Sequence, residues 1–92
     1  MEFTKDIGHI YAVDDNGKII AEVDFPDSKD GVCEITHTFV DDSLRGQGVA
    51  GKLIDAAVQQ IQEFDKKTVP VCPYAVKWFK DHPDMNDILA KK

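Results

Sequence analysis

Residues 40–64 read VDDSLRGQGVAGKLIDAAVQQIQEF, and this stretch decides the fold that the sequence predicts. It starts as the end of a strand, continues as a glycine-rich loop and finishes as an amphipathic helix. Three glycines within six residues, Gly46, Gly48 and Gly51, let the backbone turn sharply and approach a ligand closely. A helix that begins there directs unpaired N–H groups and the positive end of its dipole at the loop. Arg45, the only arginine of the chain, lies at the mouth of this predicted anion-binding loop.

The residues before the loop predict an antiparallel meander of three strands. Residues 7–13 are rich in β-branched and aromatic side chains and run into Asn16-Gly17, a strong hairpin signal. Residues 18–25 alternate apolar and polar side chains, as a strand with one buried face does. A polar turn at residues 26–31 separates them from a third predicted strand, residues 32–40. The side chains expected on one face of this third strand are those of Cys33, Ile35, His37 and Phe39.

The residues after the loop predict a helix, a strand and a second helix. Residues 49–64 place apolar side chains at helical spacing, and residues 68–72 are short and β-prone. A strand reached through a crossover helix runs parallel to the strand before it. Pro73 suits the first turn of a second helix, which His82-Pro83 ends. The order β-β-β-α-β-α predicts an α+β fold, with a mixed and mostly antiparallel sheet, in one domain of residues 1–92.

Composition narrows the classes of function. The net charge is −6 and the pI about 4.8, so we expect no nucleic-acid partner. No apolar run approaches the roughly 20 residues that span a bilayer, and we expect a cytoplasmic protein that does not bind membranes, as a monomer or weak homodimer. We expect Cys33 and Cys72 to be reduced in that compartment, and a single disulfide between them is the alternative. The histidines and cysteines show no metal-ligand spacing, so we expect no metal.

Two nucleotide-binding patterns overlap on the loop, and their context argues against both. Residues 46–51 spell G-x-G-x-x-G, but a dinucleotide site requires a parallel unit and an acidic residue about 20 positions later. Residues 46–52 spell G-x-x-x-x-G-K, but Leu53 replaces the Ser or Thr that would hold magnesium. A third interpretation assigns no ligand to the loop: its glycines only close a tight strand-to-helix turn, and Arg45 is a solvated surface charge.

Residues 45–50, RGQGVA, fit the [Q/R]-x-x-G-x-[G/A] loop of the GNAT superfamily of acyl-CoA N-acyltransferases. The order of meander, loop, helix, parallel strand and helix also resembles that family over residues 32–80. The chain is most similar to a group of very small GNAT-like proteins, which share four pieces in this order: His37-Thr38, residues 44–48 (LRGQG), Cys72-Pro73 and His82-Pro83.

The resemblance implies a binding site for acetyl-CoA. Phe39 and Val40 would lie beside the pantetheine arm, and the thioester would lie between His37 and Cys72. The backbone of the loop would hold the pyrophosphate. The loop residues concerned are Arg45, Gly46, Gln47, Gly48, Val49 and Ala50.

Three side chains are candidates for catalysis, each with a structural alternative. His37 is either a core histidine or a general base for the acceptor amine. Cys72 is either a buried apolar residue or a thiol able to attack a thioester. Tyr74 belongs to an apolar group with Trp78 and Phe79 but is near enough to the last strand to line a pocket.

One position departs from the wider family. Many GNAT enzymes carry N-x-x-A-x-x-x-Y after the equivalent strand, and its tyrosine protonates the leaving thiolate. Here the spacing reads Cys72-x-x-Ala75-x-x-x-Phe79, which has no hydroxyl. The sequence therefore favours an N-acetyltransferase acting on a small-molecule or peptide amine, with a non-catalytic coenzyme A-binding or protein-interaction module as the alternative.

Overall fold

The computed structural model describes residues 2–90, which form seven short strands, two α-helices and two 3₁₀ turns. The strands are β1 Thr4–Asp6, β2 His9–Val13, β3 Ile19–Asp24, β4 Asp27–Lys29, β5 Val32–Ile35, β6 His37–Val40 and β7 Lys67–Pro70. The helices are α1 Val49–Glu63 and α2 Pro73–Asp81, and the 3₁₀ turns are Asp42–Leu44 and Pro83–Ile88.

The sheet has an antiparallel part and a part that contains the parallel pair. The antiparallel part has the strand order β1-β2-β3-β6, and the other has the order β4-β5-β7, in which β5 and β7 run parallel. The β2–β3 hairpin turns where Asn16-Gly17 predicts it, and Asp14 Oδ1 accepts hydrogen bonds from the backbone N–H groups of Asn16 and Lys18. The predicted α+β class, the antiparallel meander and the parallel last strand are therefore confirmed.

The prediction of one continuous strand over residues 32–40 was wrong. Thr36 separates β5 from β6, and its N–H donates to the Asp24 carbonyl at 3.0 Å although Asp24 pairs with His37. Thr36 and His37 thus both lie opposite Asp24, and two residues opposite one is the geometry of a β-bulge. The alternation of side chains changes phase there: Ile35 is buried, whereas His37 and Phe39 are exposed. The expectation that these three share a face is corrected accordingly.

Two further strands, β1 and β4, were not predicted. Their sequences, TKD and DSK, are polar and fully on the surface, so they lack the alternation that marks a half-buried strand. Each is joined to the next strand by a tight turn with a left-handed glycine, Gly8 at φ +76° and Gly31 at φ +72°. The segment 26–31, predicted as a turn only, therefore begins with a strand.

The two helices form one layer against the sheet. Helix α1 packs on β2, β3 and β6, and α2 packs on α1 and β7. The apolar face of α1 is wider than the spacing alone predicts, and its buried members are Val49, Leu53, Ile54, Ala56, Ala57, Val58 and Ile61. In α2 the core interpretation is confirmed for Trp78 and Phe79, whereas Tyr74 is 52% exposed. Among residues 2–90, no helix has the length and apolar character needed to cross a membrane.

Candidate functional site

The two parts of the sheet separate at Ile35. Its carbonyl accepts hydrogen bonds from the N–H groups of both Val71 and Cys72, each at 3.0 Å. Beyond this fork, β6 pairs with β3 alone among the described residues, and the chain after β7 turns away into α2. A wedge therefore opens between β6 and the residues that follow β7.

One edge of β6 faces this wedge. Asp41, directly after β6, donates its N–H to the Ile20 carbonyl on the β3 side at 2.8 Å. Because backbone groups of an antiparallel strand alternate in direction, the N–H and C=O of Thr38 and Val40 point to the opposite side, into the wedge. This edge can accept an extended ligand by the hydrogen bonds that an additional strand would make.

Thr38 and Cys72 meet across the wedge. Thr38 Oγ1 lies 3.2 Å from Cys72 Sγ, and Cys72 is 7% exposed at the N-cap of α2, where its side chain makes no capping bond. The resemblance places His37 opposite Cys72, but the bulge gives that position to Thr38. Thr38 is the residue that sequence reasoning missed, because the His37-Thr38 dipeptide carries no local signal of the phase change that exchanges the faces of the two side chains.

His37 and Phe39 lie on the other face of the sheet. In the register of β3 and β6, His37 is opposite Asp24 and Phe39 is opposite Glu22. His37 is exposed, so its interpretation as a core histidine was wrong. The side chain of Phe39 is 37% exposed and does not line the loop cavity, whereas its neighbour Val40 does.

The glycine loop is held by a capped turn before it. Asp41 Oδ2 accepts hydrogen bonds from the Ser43 N–H at 3.0 Å and from the Ser43 hydroxyl at 2.7 Å. These bonds lower the pKa of the Asp41 carboxyl below its ordinary value. The 3₁₀ turn Asp42–Leu44 follows, so the loop leaves β6 in a defined direction.

Two left-handed glycines then connect the turn to α1. Gly46 has φ +79° and Gly48 has φ +69°, a region that side chains with a Cβ rarely adopt. Gly48 is the N-cap of α1 and supplies no side-chain hydrogen bond, so the first N–H groups of the helix have no capping partner there. Such a helix start carries partial positive charge and suits an anion.

An open cavity of about 280 Å³ lies over this helix start. Arg45 stands at its rim with its side chain 83% exposed, in a surface ion pair with Asp42 at 3.4 Å between Nε and Oδ1. Because an exposed ion pair of this kind contributes little to stability, breaking it to contact a ligand would cost Arg45 little free energy. The lining residues are Val40, Asp42, Leu44, Arg45, Gly46, Gly48, Val49, Ala50 and Tyr74.

The cavity continues into a groove of about 510 Å³ between α1 and α2, and Tyr74 lines both. Of the residues predicted to bind the cofactor, the structure brings Val40, Arg45, Gly46, Gly48, Val49 and Ala50 to one cavity. Gln47 lies in the same loop without lining the cavity.

A family model described as GCN5-related N-acetyl-transferase matches residues 9–88, which include the wedge, the loop and both helices. The chain belongs to this family.

Relatives by sequence match over a shorter length. Protein NATD1 of Homo sapiens is 36% identical over 52 residues, which cover 56% of this chain and 46% of NATD1. Protein NATD1 of Gallus gallus is also 36% identical over 52 residues, with 47% of that protein covered. The matched segment thus spans about half the length of these curated relatives.

Solved structures support the family through the fold. A GCN5-like protein from Staphylococcus aureus is 27% identical, with a TM-score of 0.79 over 99% of this chain and 89% of that chain. The GNAT family N-acetyltransferase YhbS from Escherichia coli, solved in complex with CoA, is also 27% identical, with a TM-score of 0.61 over 75% of this chain and 42% of that chain.

The position of the usual family tyrosine is occupied by Phe79 and is buried. Phe79 is 5% exposed and packs edge-on against Trp78, with ring centroids 5.0 Å apart and planes at 78°. It has no hydroxyl that could donate a proton. The polar side chains at the wedge or lining the loop cavity include those of Thr38, Asp42, Arg45, Cys72 and Tyr74.

Proposed function

We propose that this protein binds acetyl-CoA and transfers its acetyl group to an amine. The observation that carries the proposal is the left-handed Gly48 at the uncapped start of α1, which opens into a cavity beside the free edge of β6. The same arrangement fits a diphosphate, because backbone N–H groups of the helix start and the exposed side chain of Arg45 lie at one cavity. The CoA complex of YhbS supports coenzyme A as the class of ligand.

In this proposal the backbone N–H and C=O groups of Thr38 and Val40 form hydrogen bonds with the amides of the pantetheine arm and keep it extended. Acetyl-CoA supplies an acetyl group activated as a thioester. Thr38 and Cys72, 3.2 Å apart, lie deeper in the wedge than the loop and mark where the thioester would be placed.

Transfer requires two proton movements, for which the chain offers separate groups. An amine that attacks the carbonyl carbon must lose a proton as its N–C bond forms. His37 is the proposed acceptor of that proton, and because it lies on the face of the sheet opposite Thr38 and Cys72, this role requires an amine that enters the wedge from the open face. The C–S bond breaks and the sulfur must gain a proton. Cys72 and Tyr74 are the proposed donors, since Phe79 cannot act.

The proposal is tested by NMR titration with acetyl-CoA. The amide signals of Gly46, Gly48 and Val49 should shift most, and those of Asp30 and Gly31, in the turn between β4 and β5 at the opposite end of these strands, should stay in place. Absence of loop shifts at millimolar acetyl-CoA would refute the proposed site.

Two loop variants should change affinity in opposite directions. Arg45→Ala removes a charge-assisted phosphate contact and should weaken binding by about 1–3 kcal/mol. Asp42→Asn removes a carboxylate that lines the cavity and should strengthen binding, since a like charge beside the phosphates is lost. Asp30→Asn, in the turn between β4 and β5, is the matched charge control and should leave affinity unchanged.

A second function, a coenzyme A-binding module without catalysis, is favoured by the buried Phe79. Release of free thiol from acetyl-CoA in the presence of amines separates the two proposals: steady release supports the enzyme, and tight binding without release supports the module. Mass spectrometry after incubation with acetyl-CoA tests Cys72 separately, since one added acetyl group that Cys72→Ala abolishes would identify it as a nucleophile. We propose the cytosol as the compartment, in keeping with free Cys33 and Cys72.

A further inference from the structure

The open face of the sheet carries a cluster of three metal-ligating side chains that the proposed acetyl transfer does not use. His9 on β2 lies directly opposite Asp24 on β3, and Glu22 is two residues away on the same face. His9 Nε2 is 2.8 Å from Glu22 Oε1 and 3.6 Å from Asp24 Oδ1. One ligand atom from each of the three lies within 4.8 Å of the other two.

We propose that His9, Glu22 and Asp24 form a binding site for a zinc ion. Bonds of about 2.0–2.2 Å in a tetrahedral zinc site place neighbouring ligand atoms about 3.3–3.6 Å apart. Of the two distances from His9 Nε2, the one to Asp24 Oδ1, 3.6 Å, agrees with this separation, and the one to Glu22 Oε1, 2.8 Å, is shorter. Small side-chain rotations therefore convert the cluster into three ligands of such a site, with water in the fourth position.

The charges and donor types suit this ion. Two carboxylates balance the two positive charges of the metal, and one imidazole nitrogen with two carboxylate oxygens is a ligand set that zinc accepts. Magnesium prefers six oxygen ligands in an octahedral arrangement, which one imidazole and two carboxylates do not supply. The site therefore selects zinc over magnesium.

The supporting structure limits the motion of these side chains. Both β2 and β3 are interior strands of the four-stranded part of the sheet, so each is paired on both sides. The ring of Tyr11 stacks on His9 with centroids 4.9 Å apart and planes at 21°, which fixes the plane of the imidazole. The three side chains are 31%, 23% and 39% exposed, so an ion can enter without unfolding the strands.

The sequence gives no sign of this site because the ligands come from two strands and depend on their register. His9 and Asp24 are fifteen residues apart in the chain, outside the short spacings of familiar zinc motifs. Only the hairpin pairing of His9 with Asp24 brings the ligands onto one face.

The test is a titration of the full chain with Zn²⁺ alone, followed by calorimetry and by the ¹⁵N shift of the His9 ring. We expect one ion per chain with micromolar affinity and a large shift of His9 Nε2. Mg²⁺ at the same concentration should produce neither effect. A His9 Nε2 signal that does not respond to Zn²⁺ would overturn the proposal, with the cluster then acting only as an ion pair.

Variants separate this cluster from other zinc-binding groups such as the thiols of Cys33 and Cys72. His9→Asn and Glu22→Gln should each weaken Zn²⁺ binding at least tenfold, while the exposed Asp15→Asn should bind as the unmodified protein does. Equal Zn²⁺ affinity in His9→Asn and the unmodified protein would contradict the site. The amide spectrum of each variant shows whether it is folded, and the His9 ring shift in the unmodified protein decides the question even if a variant is not.

Discussion

Gly48→Ala and Gly51→Ala form a matched pair whose effects on stability should have opposite signs. At both positions an added Cβ would meet no atom within 4 Å, so neither substitution creates a clash with a neighbour. The difference lies in the backbone, because Gly48 is left-handed at φ +69° and ψ 22° whereas Gly51 lies inside α1.

The size of each effect follows from these conformations. A residue with a Cβ in the left-handed region costs about 1–2 kcal/mol, partly offset by the smaller entropy of the unfolded alanine chain, so Gly48→Ala should lose about 1 kcal/mol. Gly51→Ala should gain about 0.5–1 kcal/mol from helix propensity. For a domain of this size, 1 kcal/mol corresponds to roughly 4–8 °C in Tm.

Thermal and urea unfolding followed by circular dichroism measures both variants. A drop in Tm for Gly48→Ala together with a rise for Gly51→Ala is the expected result. Destabilisation of the same size in both would refute the left-handed loop geometry, and with it the argument that the start of α1 is shaped for an anion. Acetyl-CoA affinity gives a second comparison, since Gly48→Ala changes the direction of the first helix N–H groups.

Three further predictions concern the core and two titrating groups. Leu53→Ala, at a fully buried position of α1, should cost about 2–5 kcal/mol in urea unfolding, against less than about 0.5 kcal/mol for exposed Lys52→Ala. Burial raises the pKa of the Cys33 thiol above its ordinary 9.0, so the neutral thiol is favoured in the folded state. The resulting stability is complete below pH 9.0 and lost as the pH rises through the folded pKa, and Cys33→Ala should flatten that alkaline decline in urea unfolding. Hydrogen bonds from Ser43 lower the pKa of the Asp41 carboxyl in the folded state. The ionised carboxylate therefore stabilises the fold above the ordinary pKa of 3.8, and this stabilisation is lost as the pH falls through the folded pKa. Ser43→Ala should reduce this acid dependence in thermal unfolding.

The parts of the fold that the sequence predicts correctly depend on local signals. Helix α1 follows from apolar residues at helical spacing, the β2–β3 hairpin from Asn16-Gly17, and the start of α2 from Pro73. Each of these signals acts within a few residues, so no knowledge of distant contacts is needed. The parallel pairing of β7 with β5 also follows, because the crossover helix α1 returns the chain to the end of the sheet at which β5 begins.

The parts that escape prediction depend on pairing between distant residues. The bulge at Thr36 has no glycine or proline to announce it, and it arises because the Asp24 carbonyl pairs with two successive residues. The polar strands β1 and β4 are held by backbone hydrogen bonds to their neighbours, which the identity of their side chains does not reveal. The structure therefore brings most of the predicted loop residues to one cavity, with Gln47 outside its lining, whereas the faces of His37 and Thr38 were exchanged.

The bulge at Thr36 lets this strand carry one residue more than its partner while Ile35 and Thr38 both face the helix side. Thr36 is exposed, and its hydroxyl makes only a 3.5 Å contact with the Asp24 carbonyl, so another residue can replace it with little loss. Removing the residue altogether would restore regular alternation and leave His37 on the open face and Thr38 toward Cys72. What the extra residue changes is the course of the strand, because a bulge bends it directly after Ile35, where the two parts of the sheet separate. Deletion of Thr36 therefore probes the opening of the wedge, whereas a substitution at this position does not.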